Sequence, residues 1–330
     1  MDITFINVGY GEAILVMVPD PERDGKPFIM MIDGGSNLDG EYTGESGRIR
    51  AVDFLKKKGI THIDLAVFTH IHEDHTSGLA RVLSEIPADR FWTTIAMDPR
   101  YYGKTAGAGA QANETNTKAL VSINAYSKLM AELPQEKITW LEGIRPAYFR
   151  KGGLVIDVLG PEPSYKATVD GLVNSCFAAE TGEALDAAVT ATTEAMNNAS
   201  LILRLHYEGK TVLLCGDTNA SGFGHVMAAD PALLKSDVYK IGHHGQADSV
   251  SAELVKAVDP SVIVCCASND HRSNSSNPKT FETIRAALPG KEVTYLFQDG
   301  LYMAEWNPDT APRNGITLRI TESGIQWSRC

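Results

Sequence analysis

Eight residues, Phe68-Thr69-His70-Ile71-His72-Glu73-Asp74-His75, constrain this chain more than any others. The run Ile63 to Phe68 is short and apolar, the pattern of a buried strand. Beyond the cluster, Leu79, Val82, Leu83 and Ile86 have the spacing of one helix face. The polar cluster therefore sits where a strand ends and a helix begins. His70 and His72 are two residues apart, so in extended backbone both imidazoles point the same way. Asp74 and His75 follow at the turn. Two imidazoles are thus offered to one ion, and a carboxylate with an imidazole to a second. Zn²⁺ takes these donors, and Mn²⁺ and Fe²⁺ accept them too. Chance clustering explains the pattern poorly, because three of the nine histidines fall among these residues, interleaved with two carboxylates.

Two later segments repeat the context. Val212-Leu213-Leu214-Cys215-Gly216-Asp217 is an apolar strand ending in Gly-Asp. Val238-Tyr239-Lys240-Ile241-Gly242-His243-His244-Gly245 is a strand ending in a His pair. Either alone is an ordinary turn or loop. Beside the first motif they become further ligands, since the ends of several strands can meet at one edge of a sheet. Asp217 is the natural bridge, because one carboxylate serves two ions. His243, His244 or both would complete the shell. Asp74 is a candidate catalytic group, orienting the nucleophile while holding its metal. Lys240 is a second, binding the substrate anion. Asp33, at the end of another apolar run, is a candidate to hold the rear of a ligand imidazole. His62, His206 and His225 sit on polar faces or loops and are assigned no role.

The rest of the chain supplies layers. Asp2 to Val8, Ala13 to Val18 and Phe28 to Ile32 read as consecutive strands. Ile49 to Lys58 reads as a helix closed by Gly59. Gly103 to Thr117 reads as a loop, Thr117 to Leu133 as a helix, Leu154 to Leu159 as a strand. Asn174 to Asn198 is Ala- and Thr-rich with several acidic residues and reads as a helical or mobile insertion. Leu201 to Tyr207 and Thr211 to Cys215 form a hairpin about Glu208-Gly209. Ser251 to Val258 and Pro278 to Leu288 are helices around a strand at Ser261 to Ala267, and Val293 to Trp327 reads as short strands. Strands first, helices outside, then the same again predict an α/β fold: a four-layer αβ/βα sandwich. No linker divides it, so residues 1–330 form one domain with insertions near 100–135 and 165–198.

Composition excludes some classes. The apolar fraction of 43% supports a sizeable core, and no apolar run approaches the length of a membrane helix. The first residues lack a signal peptide's basic start, so a cytoplasmic location is expected. Five scattered cysteines without a C-x-x-C pair read as reduced core residues. The formal charge is −11, and the short run Lys56-Lys57-Lys58 is a solvated helix end rather than a basic patch for long nucleic acid. The acidity leaves room for a phosphate substrate, because divalent ions reverse the local field.

The His-x-His-x-Asp-His segment resembles the hallmark of the metallo-β-lactamase superfamily. A finer resemblance, over roughly residues 1 to 290 outside the insertions, is to the hydrolase domain of the ComEC DNA-uptake proteins and its soluble relatives. Four segments carry it: Asn7-Val8-Gly9-Tyr10-Gly11-Glu12-Ala13, Ile32-Asp33-Gly34-Gly35, Asn198-Ala199-Ser200-Leu201 with Gly216-Asp217, and Lys240-Ile241-Gly242-His243-His244-Gly245. The layout also resembles the phosphorylcholine esterases of bacterial cell walls. The resemblance implies an αβ/βα sandwich with metals at one sheet edge. The chain departs from the pattern in two places. Asn197 and Asn198 stand where many members carry a third metal-binding His, and Asn277-Pro278 stands where the ComEC group often has His-Pro.

Two divalent ions, zinc foremost, would activate water for attack on phosphorus or a carbonyl carbon. The leading reading is a phosphodiesterase acting on nucleic acid or a small phosphoester. A carboxyl-ester, lactone or amide hydrolase on the same ions is the alternative. A metal-binding scaffold of low turnover, suggested by the replaced third His, is a third.

Overall fold

Near-continuous apolar runs, buried on both faces, build the first sheet of the computed structural model, which describes residues 1–43, 46–107, 114–300 and 311–330. β1 (Asp2–Ile6), β2 (Ile14–Val18) and β3 (Phe28–Ile32) form an antiparallel meander. β4 (Leu65–Val67), β5 (Phe91–Thr93) and β6 (Ile138–Trp140) extend it in parallel. The second sheet begins with antiparallel β7 (Arg145–Lys151), β8 (Leu154–Gly160), β9 (Ile202–Tyr207) and β10 (Lys210–Leu214). It continues in parallel through β11 (Val238–Lys240), β12 (Val262–Cys265) and β13 (Thr294–Phe297). The chain then returns to the first sheet, where β14 (Gly315–Thr321) pairs with β1 and β15 (Gly324–Arg329) forms the edge.

The inner faces of the two sheets share one apolar layer, with Ile3, Phe5, Ile14 and Val16 in the same cluster as Ile156, Leu203 and Leu205. Burying each such side chain stabilises the fold by about 1.5–3 kcal/mol. Against the outer face of the first sheet lie α1 (Ala51–Lys57), α2 (Glu73–Glu85), α3 (Glu114–Glu132), α4 (Pro163–Ala178) and α5 (Gly182–Met196). Against the second lie α6 (Gly224–Ala229), α7 (Ala252–Val258) and α8 (Pro278–Ala287). This is the four-layer αβ/βα sandwich.

Of the two forms open to the segment 174–198 it takes the helical one, the end of α4 and all of α5, packed through Cys176, Leu185 and Val189 into the same layer as Ile123 and Tyr126 of α3. Two local expectations change. The loop expected over 103–117 yields to α3 from Glu114 onward, and residues 108–113 lie outside the described residues. β5, β6 and β7 were not anticipated. Two of them are three residues long, and β7 exposes most of its side chains, so it lacks apolar alternation. Among the described residues no helix is long and apolar enough to cross a membrane.

The site depends on one close approach. A Cβ on Gly34 would lie 2.1 Å from the Leu79 backbone nitrogen, and one on Gly78 would lie 2.0 Å from the Gly34 carbonyl. Only glycine at both positions lets the turn after β3 touch α2. There Gly34 N–H donates to the His75 carbonyl (2.8 Å) and Gly78 N–H to the Gly35 carbonyl (2.8 Å). That contact brings Asp33 to His75.

Candidate metal centre

The residues that follow β3, β4, β10 and β11 meet at one end of the sandwich. Four of the expected ligands form a compact cage. His75 Nε2 and His244 Nε2 are 3.3 Å apart. The Asp217 Oδ2 oxygen lies 3.2 Å from the first and 3.0 Å from the second. Asp74 Oδ2 lies 3.1 Å from His244 Nε2 and 3.9 Å from His75 Nε2. A second group shares Asp217. His70 Nε2 is 3.1 Å from His72 Nδ1 and 3.8 Å from Asp217 Oδ2. The other Asp217 oxygen, Oδ1, is buried without a hydrogen-bond partner.

The rear of each ring explains which nitrogen faces inward. His75 Nδ1 meets Asp33 Oδ2 at 2.8 Å, and His244 Nδ1 meets the Cys266 carbonyl at 2.8 Å. An acceptor behind Nδ1 holds the proton there and leaves the Nε2 lone pair free for a cation. Thr69 Oγ1 donates to Asp33 at 2.5 Å and lies 3.1 Å from His70 Nδ1. Asp33, His243 and His244 adopt left-handed backbone angles (φ of 52°, 45° and 50°). Such angles cost non-glycine residues on the order of 1–3 kcal/mol each and cluster at functional sites.

Electrostatics divides the two groups. Burial drives the pKa of His70 well below the ordinary histidine value, helped by neighbouring His75 and His72. Burial likewise lowers His72, against the pull of Asp74 and Asp217. His75 and His244 behave oppositely. Burial disfavours their charge, but Asp217, with Asp74 beside it, holds both well above the ordinary value. Burial alone would raise Asp74, yet His75 and His244 keep it down at about 2. Head-to-head imidazole nitrogens around buried carboxylates, with one carboxylate oxygen unpartnered, fit divalent cations.

Two expected site residues are placed elsewhere. Lys240 is fully buried. Its ammonium pairs with the equally buried Glu12 and donates to the Gly216 carbonyl at 2.8 Å. It therefore meets no substrate anion. Strand parity gives the reason: Val238 faces the layer between the sheets, Tyr239 the outer one, and Lys240 the inner again. His243 stands outside both groups. Its Nδ1 meets Asp248 at 2.9 Å, and its Nε2 lies 3.0 Å from both the Asn197 and the Gln246 amide nitrogens.

Two residues at the rim were assigned no site role from sequence. The Tyr10 ring lies 4.6 Å from the His244 ring, and the Arg272 guanidinium 5.7 Å from the Tyr10 ring. Burial raises the phenol's pKa, offset in part by the His244 charge, so Tyr10 is a hydrogen-bond donor at neutral pH. Arg272 is 42% exposed and pairs with Glu41 and Asp270. His271 is an exposed loop residue, with Nδ1 3.4 Å from the Ser275 carbonyl.

With four layers, and with His70, His72, Asp74, His75, Asp217 and His244 gathered at strand ends, the chain has the metallo-β-lactamase fold and a site for divalent metal. No family model matches it. ComE operon protein 3 of Bacillus subtilis (strain 168) is 23% identical over 294 residues, covering 86% of this chain. The chain spans 30% of that relative's length. Among solved structures it is similar to CmlA, a diiron β-hydroxylase from Streptomyces venezuelae (11% identity, 89% of this chain, 52% of that chain, TM-score 0.50). A motif mutant of a metallo-β-lactamase from Cronobacter sakazakii is a looser match (14% identity, 90% of this chain, 77% of that chain, TM-score 0.34).

Proposed function

We propose that this protein is a dinuclear metal-dependent hydrolase acting on phosphodiesters. The observation that carries the reading is the sharing of Asp217 by two ligand groups, His75–His244–Asp74 on one side and His70–His72 on the other. When bound, a pair of ions supplies Lewis acidity and an activated water. Zinc is the first choice for this donor set, with manganese and iron the alternatives.

The chain's own residues supply the remainder. Asp74 is the ligand carboxylate with the most exposure, its side chain 16% open, so it orients the attacking water. Tyr10, protonated at neutral pH, donates a hydrogen bond toward the scissile group from beside His244. Arg272 replaces Lys240 as the group that meets the substrate anion, since its guanidinium is exposed one ring away from the ligands. Phosphodiesters are favoured over carboxyl esters by this guanidinium and by the resemblance to the ComEC-type hydrolase domain. The substrate is a small phosphoester or a nucleic-acid end, taken up without a broad basic surface.

The test is turnover of bis(p-nitrophenyl) phosphate, abolished by a chelator and restored by metal. Opening of a lactone or thioester with no phosphodiester cleavage moves the reading to a carboxyl-transfer hydrolase. Uptake of two ions with no turnover on either panel makes the protein a metal-binding scaffold.

A further inference from the structure

The two ligand groups differ in number. The His75 side has four side chains, but the His70 side has three: His70, His72 and the shared Asp217. A tetrahedral cation calls for a fourth donor. The segment that approaches this side is the turn Asn197–Ala199 before β9. Leu201 N–H, just beyond it, donates to the Thr69 carbonyl at 3.0 Å. Ser200 Oγ accepts from the Asp217 N–H at 3.2 Å. The turn thus abuts both strand tips that carry the ligands.

The two asparagines in this turn are not equivalent. Asn198 is fully engaged, its oxygen accepting from Asn219 N–H (3.1 Å) and its amide donating to Ser221 (3.1 Å). The Asn197 oxygen is buried and has no hydrogen-bond partner. A buried oxygen left so is unfavourable, which calls for a partner. Its orientation is fixed from the other end. His243 Nδ1 lies 2.9 Å from Asp248 Oδ1. The Asn197 amide nitrogen lies 3.0 Å from His243 Nε2, and this turns the Asn197 oxygen away from His243.

We infer that Asn197 Oδ1 is the fourth ligand of the His70–His72–Asp217 ion, and that His243, backed by Asp248, is the residue that positions it. The inference rests on the dinuclear reading above. It gives His243 a role behind a ligand. It also makes this side a site with a neutral oxygen donor where the other side has a second carboxylate.

Calorimetric titration of the chelator-stripped full chain with Zn²⁺ alone tests it, with Asn197→Ala, Asn197→Asp and His243→Ala alongside. Wild type should bind two ions in two steps. Asn197→Ala should weaken one step by at least about tenfold and leave the other unchanged, on the scale seen when support of a metal site is removed. Asn197→Asp, which keeps the oxygen and adds charge, should retain or tighten that step. His243→Ala should weaken the same step by a smaller factor. Two unaltered steps in Asn197→Ala would overturn the inference, as would loss confined to the His75 side. If Asn197→Ala fails to fold, a weakened step in Asn197→Asp overturns it equally. A wild-type chain that binds no ion instead sinks the dinuclear reading itself, a distinct result.

Discussion

The two halves of the metal centre are built by opposite means. The His75–His244–Asp74 half gathers two carboxylates, with its imidazoles held above the ordinary histidine pKa by them. The His70–His72 half carries imidazoles that burial keeps neutral. The first half must shed protons to take a cation, whereas the second stands ready but has fewer side-chain donors. The difference follows from where the acids sit. Asp33 backs His75 directly, but reaches His70 only through Thr69. Asp217 is what the halves share, so it is the residue whose loss should be felt most.

Asp217→Ala should therefore abolish uptake of both ions and lower phosphodiester kcat/KM by at least about 10³-fold, since the Lewis-acid contribution of several kcal/mol goes with the metals. Steady-state rates beside metal analysis check this, and retention of one full-affinity ion would break the symmetry assigned to Asp217. Asp33→Asn should come next, weakening the His75-side ion by about 10–100-fold and the other by less, because only His75 loses its direct carboxylate support. Competition with a chromogenic chelator measures both steps.

The pH dependence should separate the halves further. The carboxylates raise the pKa values of His75 and His244, so their ion competes with protons, and its affinity should fall as pH falls by up to about tenfold per unit for each proton released. The His70-side step should stay nearly flat across neutral pH, because those rings are already neutral. Titrations in buffers of different ionisation heat count the protons. The same shifts act on ion-free stability. The contribution of His75 and His244 is fully present below the unfolded histidine pKa and is lost as pH rises through their raised folded values. The smallest effect belongs to the rim. Arg272→Ala should raise KM for an anionic substrate by roughly tenfold, the value of one exposed charge-assisted contact, with metal content unchanged.

How much of this was legible in the sequence differed by residue. The first motif is local, so His70, His72, Asp74 and His75 could be read from one strand end and one helix start. Asp217 could be read because an apolar run ends in it. Two His residues adjacent in sequence could not be told apart, since both take left-handed backbone angles and the choice of His244 depends on which ring the turn swings inward. Lys240 reads in sequence as a binder of the substrate anion, but parity along β11 turns it to the interior. Its buried partner Glu12 belongs to the other side of the sandwich, a pairing no local pattern reveals. Tyr10 and Arg272 come together only across 262 residues of chain.

Anomalous diffraction from crystals soaked in Zn²⁺ tests the central claim most directly. The structure predicts two metal peaks roughly 3.5–4 Å apart with Asp217 between them, one beside His75 and His244, the other beside His70 and His72. A single peak away from Asp217, or none at the meeting point of the strand ends, would contradict it.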